Sequence, residues 1–308
     1  MATLDLFAQL ESLKKERNAV ILAHYYQDPD IQDVADCIGD SLAPAQQATR
    51  VEADIILFCG VHFMCETAKI LNPGKRVILP DINADCSLAD SAPPDKFKSW
   101  ISSHQNHTVI SYINCIAEVK AMSDIICTYS NAERIINSLP LDEKIIFAPD
   151  QYLGSYLKQK TGRDLLLWNG SCQVHEIFSE KELVRLQIRH PDARVLAHPE
   201  CDENILRHSD HIGSTTSIIK FTLRSDAQEF IIVTEPGVIH QMKKESLNKT
   251  FIPLPSNDGC ACNECPHMRL NTIGKMVTVL GNMHPEIMLP ENLRLKALTP
   301  LKKMLALS

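Results

Sequence analysis

Cys260, Cys262 and Cys265 put three thiols within six residues, and Pro266 follows the last of them. Three chemistries suit that spacing. Zinc needs four nitrogen or sulfur ligands in a closed tetrahedron, so a fourth would have to come from elsewhere in the chain. A local disulfide is strained at so short a separation. A thiolate just before proline also matches the end of an iron–sulfur binding run. The stretch by itself leaves metal and ordinary thiols open. The rest of the chain decides, because Cys86 and Cys172 stand at equivalent places in an internal repeat.

The elements that would position these thiols alternate between β-branched, aliphatic runs and helical patterns, the signature of an α/β fold with parallel sheets. The spacing predicts strands over 19–23, 54–58 and 76–79, then over 107–111, 124–128, 144–147 and 164–168, then over 194–197, 210–212, 229–233 and 250–254. Between the first two strands the pattern reads as a helix or two, running to Gly39-Asp40-Ser41. The leading strand of each set ends at His24, Tyr112 or His198, so the copies repeat every 86 to 88 residues. Asp54, Asp124 and Asp210 are read as opening the second strand of each copy, and Cys86, Cys172 and one of the last cysteines as closing it. A period this long, with three or more strands per copy, predicts three small domains and not a solenoid. The boundaries expected are 1–90 with 266–308, 91–176 and 177–265. Three homologous three-layer α/β domains about a pseudo-threefold axis would bring their sheets together at one place.

Composition bounds the function. With 308 residues, 44% hydrophobic and 22% charged, the chain reads as an ordinary soluble globular protein. No apolar run approaches the ~18 residues of a membrane span. Leu4, Phe7, Leu10 and Leu13 fall at helical spacing, which predicts an amphipathic surface helix and not a signal peptide. A net charge of −7 with no basic stripe argues against nucleic acid. Eleven cysteines without an export signal point to a reducing cytoplasm and metal binding more than to a disulfide scaffold. There is no Walker A run and no Gly-x-Gly-x-x-Gly, so nucleotide binding lacks support. No Cys-x3-Cys-x2-Cys run marks a radical enzyme using S-adenosylmethionine.

In parallel α/β sheets ligands bind beyond the carboxyl ends of the strands. His24, Tyr26, Tyr112, Asn114, His198, Glu200, Ser214 and Thr215 all fall at such ends. Three sheets facing one cavity would each contribute a thiolate. A [4Fe–4S] cluster with four cysteines mainly moves electrons, whereas one with three leaves an iron open as a Lewis acid. Each residue also has a plainer reading. A strand-end histidine is more often structural than catalytic, and Cys37, Cys59, Cys65, Cys115, Cys127 and Cys201 read as small buried apolar residues. Gly213-Ser214-Thr215-Thr216 suits a carboxylate or phosphate, and equally a plain helix cap.

His24-Tyr25-Tyr26, Gly39-Asp40-Ser41, Asp85-Cys86-Ser87, Tyr112-Ile113-Asn114, the run from Gly170 to His175, His198-Pro199-Glu200-Cys201, Gly213-Ser214-Thr215 and the run from Cys265 to Thr272 resemble the quinolinate synthase family, the A protein of NAD biosynthesis, in the right order over about residues 19 to 280. The resemblance implies three α/β domains and a [4Fe–4S] cluster on Cys86, Cys172 and Cys265, with Cys260 and Cys262 as spare thiols. It implies condensation of iminoaspartate with dihydroxyacetone phosphate to quinolinate, phosphate and two waters. Tyr26, His198 and Glu200 match the proton-transfer positions. His24, Ser41, Tyr112, Asn114, Ser214 and Thr215 match the substrate donors. An aspartate-oxidising enzyme would deliver the unstable iminoaspartate.

One position departs. The family reads Thr-Ser-x-Asn-Ala where this chain has Thr128-Tyr129-Ser130-Asn131-Ala132. Tyr129 is expected to narrow the pocket and weaken binding, unless it turns aside and Ser130 substitutes. Two rivals remain open: another cluster-dependent hydro-lyase, which needs no phosphate site, and a non-enzymatic iron–sulfur or zinc redox sensor, which turns over nothing.

Overall fold

The computed structural model describes residues 3–41, 43–256 and 263–307. Its strands are β1 (Ala19–His24), β2 (Cys37–Gly39), β3 (Ile55–Cys59), β4 (Arg76–Ile78), β5 (Thr108–Tyr112), β6 (Ile125–Cys127), β7 (Ile145–Ala148), β8 (Leu165–Leu167), β9 (Arg194–Ala197), β10 (His211–Ile212), β11 (Glu229–Val233) and β12 (Thr250–Pro253). They form three four-stranded sheets, all parallel, with one order repeated: β2-β1-β3-β4, β6-β5-β7-β8 and β10-β9-β11-β12. The central strands are near-continuous apolar runs, as burial on both faces requires. Ile21, Leu57 and Ile78 face one layer of the first sheet, and Leu22, Phe58 and Val77 the other. The expected three-layer α/β architecture is what the chain adopts.

The repeat has a structural cause, and it is not the one the sequence pattern suggests. The backbone N–H of Ile21, Val109 and Val195 donates to the side chain of Asp36, Asp124 and Asp210 at 2.8, 2.9 and 2.8 Å, each aspartate lying 15 residues further on. Each aspartate N–H then returns a bond to the same residue's carbonyl. This pair of bonds fixes the short outer strand to the first. Asp36 is therefore the counterpart of Asp124 and Asp210, and Asp54 is not. Asp54 precedes β3, whose counterparts are β7 and β11. The segment read as helical up to Gly39 contains the three-residue β2, too short for any periodicity to reveal. Replacing Asp124 by alanine leaves the Val109 N–H without its acceptor and is expected to cost about 1 kcal/mol, with asparagine recovering much of it. An unchanged urea midpoint for Asp124→Ala would rule this out.

The helix Thr3–Glu16 buries Leu10 against the first sheet together with the helix Ile273–Asn282. The last helix, Glu291–Ala306, goes elsewhere: Ala297, Leu301 and Met304 join the core of the second sheet with Ile110, Ile125 and Ile135. No helix among the described residues is long and apolar enough to cross a membrane.

Candidate active site

In each sheet the chain leaves the first strand in one direction and returns on its other side. The first and third strands therefore splay at a switch point, where a parallel sheet opens a crevice. The three crevices share one cavity of about 200 Å³. Every residue singled out from the sequence lines it: Tyr26, His198 and Glu200; His24, Ser41, Tyr112, Asn114, Tyr129, Ser214 and Thr215; Cys86, Cys172 and Cys265. Cys260 and Cys262 lie outside the described residues.

The three thiols have one local design. Cys86 and Cys172 each precede a one-turn helix, Ser87–Asp90 and Gln173–Glu176, and Cys265 precedes the turn Met268–Leu270. Burial pushes all three thiols up, while the N–H groups two and three residues on pull the other way: Leu88 and Ala89, Val174 and His175, His267 and Met268. Donors aimed at sulfur stabilise thiolate, and hydrogen bonds to the sulfurs are one of the means by which proteins tune iron–sulfur clusters. A free thiol in so buried a setting stays protonated, and a bound cation is what deprotonates it. The donor set therefore fits a thiolate-ligated centre. Separately, Cys172, His175 and Glu200 bring ligand atoms within 4.8 Å of one another, a group that could hold a metal ion. Cys59, Cys65, Cys115, Cys127 and Cys201 are buried apolar residues, as expected. Cys37 is only half-buried, and its Sγ donates to Gln47 Oε1 at 2.7 Å.

A polar network runs from Tyr26 to Glu200, beside Cys172. The Tyr26 hydroxyl lies 3.0 Å from Thr215 Oγ1 and 2.7 Å from Thr234 Oγ1. Thr234 is 3.0 Å from His175 Nε2, and His175 Nδ1 is 3.1 Å from Glu200 Oε2, off the hydrogen-bond line. The imidazoles of His175 and His198 stack with centroids 4.6 Å apart. Burial works to raise the Glu200 carboxyl, but His198, His175 and the Tyr112 phenol outweigh it and hold it at about 2. Burial, together with the neighbouring His198, lowers His24 to about 3, and burial lowers His198 to about 3 despite Glu200. At neutral pH Glu200 is thus an anion, while His24 and His198 are uncharged. Burial also pushes the Tyr26 phenol well up, so it keeps its proton.

The backbone fixes both tautomers. His24 Nδ1 accepts from Tyr26 N at 3.1 Å, and His198 Nδ1 accepts from Glu200 N at 3.4 Å. Each neutral ring therefore carries its proton on Nε2. Ser214 is the N-cap of the helix Thr215–Arg224, its hydroxyl accepting from Ser217 N at 3.3 Å. It is a helix cap, and it faces the cavity as well. The Tyr129 ring lines the cavity, but its hydroxyl turns aside and donates to the Ile212 carbonyl at 2.9 Å. Ser130 also lines the cavity, bonded to Thr128 Oγ1 at 2.9 Å.

Neither His175, which appears only within the run from Gly170, nor Thr234 is given a role by the sequence. The signal for His175 was its place three residues after Cys172. That for Thr234 was its place at the end of β11, where polar strand-end residues matter as much as they do after β9.

The family model described as Quinolinate synthetase A protein matches residues 8–306. The chain is 59% identical over 304 residues to the quinolinate synthase of Trichodesmium erythraeum, covering 99% of this chain and 94% of that one. It matches the quinolinate synthase of Gloeothece citriformis at the same identity and coverage. It is 58% identical over 309 residues to that of Chloroherpeton thalassium, covering 100% of this chain and 96% of the relative.

Proposed function

The chain belongs to the Quinolinate synthetase A protein family, a family of enzymes, and from that premise we propose that it condenses iminoaspartate with dihydroxyacetone phosphate to give quinolinate, phosphate and two waters in NAD biosynthesis. The observation that carries this reading is the convergence of three thiols and a buried Tyr–Thr–His–Glu network on one cavity.

Cys86, Cys172 and Cys265 would hold a [4Fe–4S] cluster. When bound, it supplies one iron with an open position, a Lewis acid for a substrate oxygen or carboxylate. The remaining chemistry is proton movement and positioning. Carbon–carbon bond formation, loss of phosphate, isomerisation of the three-carbon unit and ring closure all need protons delivered to or taken from substrate atoms. Tyr26 is the donor, kept protonated by burial. Thr234 and His175 stand behind its hydroxyl, and the anionic Glu200 stands behind His175. His198 presents its Nε2 proton to an oxygen that leaves as water.

His24 presents Nε2–H to a carboxylate in the same way. Tyr112, Asn114, Ser41, Ser214 and Thr215 supply further donors, and the N-terminus of Thr215–Arg224 favours an anionic phosphate or carboxylate. Tyr129 contributes its ring to the wall. Walls lined by Val61, Phe63 and Met64 limit water, which would hydrolyse an imine.

The test is turnover by cluster-loaded protein handled without oxygen. Iminoaspartate is made in place by an aspartate-oxidising enzyme, the class of partner this substrate requires. Quinolinate and phosphate should form in equal amounts. A chain that turns over a hydroxy acid without releasing phosphate is the hydro-lyase of the rival reading, and a chain that turns over nothing is a sensor.

A further inference from the structure

The internal repeat sets up three equivalent junctions around the cavity, and one is built differently. Five places after the aspartates Asp36, Asp124 and Asp210 stand Ser41, Tyr129 and Thr215. Five places after their partners Ile21, Val109 and Val195 stand Tyr26, Asn114 and Glu200. Ser41 of the first unit donates to Asn114 Oδ1 of the second at 3.0 Å. Thr215 of the third unit lies 3.0 Å from the Tyr26 hydroxyl of the first. The pattern would be completed by a short hydroxyl at 129 reaching Glu200 of the third. A tyrosine is too long for that. Its phenol donates to the Ile212 carbonyl at 2.9 Å and has the Tyr156 hydroxyl at 3.4 Å.

We infer that Tyr129 is a positioning residue: a latch from the second unit to the main chain of the third that sets the segment carrying Ser214 and Thr215. Ile212 ends β10, and Gly213-Ser214-Thr215 follows it directly into the cavity. β10 has only two residues, paired to β9 at His211 and Ile212, so its own ladder holds this segment weakly. The bond from Tyr129 adds a tie at its last residue. Thr215 in turn lies 3.0 Å from the Tyr26 hydroxyl, which Thr234 also holds at 2.7 Å. Tyr156 and Ile212, the two residues the Tyr129 hydroxyl meets, line a neighbouring cavity of about 310 Å³.

This inference rests on the proposed synthase activity, and the experiment separates the two. Tyr129→Phe keeps the ring and removes the bond. In the cluster-loaded enzyme it is expected to raise KM for dihydroxyacetone phosphate about fivefold, the worth of one hydrogen bond, with kcat within about twofold. Amide exchange over Gly213 to Ser217 should quicken. Tyr129→Ser also loses the latch and is expected to exchange as fast, with a KM at least as high. A phenylalanine variant that matches the parent in KM and exchange overturns the latch. So does a serine variant more active than the parent with unchanged exchange, which would make the phenol a plain obstruction. If the parent forms no quinolinate, the functional reading fails, and the exchange comparison still decides the latch.

Discussion

Serine in place of any one of Cys86, Cys172 and Cys265 is expected to remove bound iron and sulfide and to lower quinolinate formation by at least about a thousandfold, the scale of losing a Lewis acid worth several kcal/mol. A hydroxyl is a hard, weakly acidic ligand where a soft thiolate is wanted, and the paired N–H groups beyond each position would be left facing a smaller atom. Each thiol comes from a different part of the chain and heads its own turn. No one turn supplies more than one of them. Cys127→Ala is the control: Cys127 is fully buried in β6, outside the cavity lining, so iron should stay while stability falls. About four irons in the parent and loss in all three variants place one cluster among three units. Iron retained without Cys86 or Cys172, or zinc in its place, would return the metal to the stretch around Cys260 to Cys265.

Glu200→Gln carries the second large effect. The amide keeps the shape and removes an anion that faces His175, His198 and Tyr112. Proton transfer by a positioned group contributes roughly a hundred- to ten-thousandfold, so kcat should fall within that range while iron content is unchanged. Glu200 is 2% exposed, so no water replaces its charge. The reading that Glu200 is only a structural partner of the two imidazoles predicts a lowered melting temperature with kcat within about threefold, and that result would sink the proton-transfer role.

The site was legible because of where its residues fall. A histidine or tyrosine closing an apolar run is conspicuous, and parallel sheets expose those ends to ligand. Thus His24, Tyr112 and His198 marked all three crevices before their geometry was known. The sheet order was less legible. β2 and β10 are three and two residues long, held by one aspartate apiece and not by a readable run of apolar residues. Asp54 heads a long apolar run that Asp36 lacks, yet the side-chain bond that defines the repeat belongs to Asp36. Thr234 was hidden because its role comes from neighbours distant in sequence: Tyr26 lies 208 residues away and His175 lies 59. Tyr129 illustrates the same limit. Its departure was plain in the sequence, but the acceptor that turns it aside belongs to a strand of another sheet.

The placement of the final helix has a consequence for how the protein is made. Each sheet draws its strands from one contiguous stretch, so each can begin to form as it leaves the ribosome. The second cannot finish. Its last strand ends at Leu167, yet Ala297, Leu301 and Met304, which cover one side of its core, emerge roughly 130 residues later. At ordinary rates of synthesis that delay is on the order of ten seconds. Through that interval the middle of the molecule carries bare apolar surface, and the helix Glu291–Ala306 is what closes it.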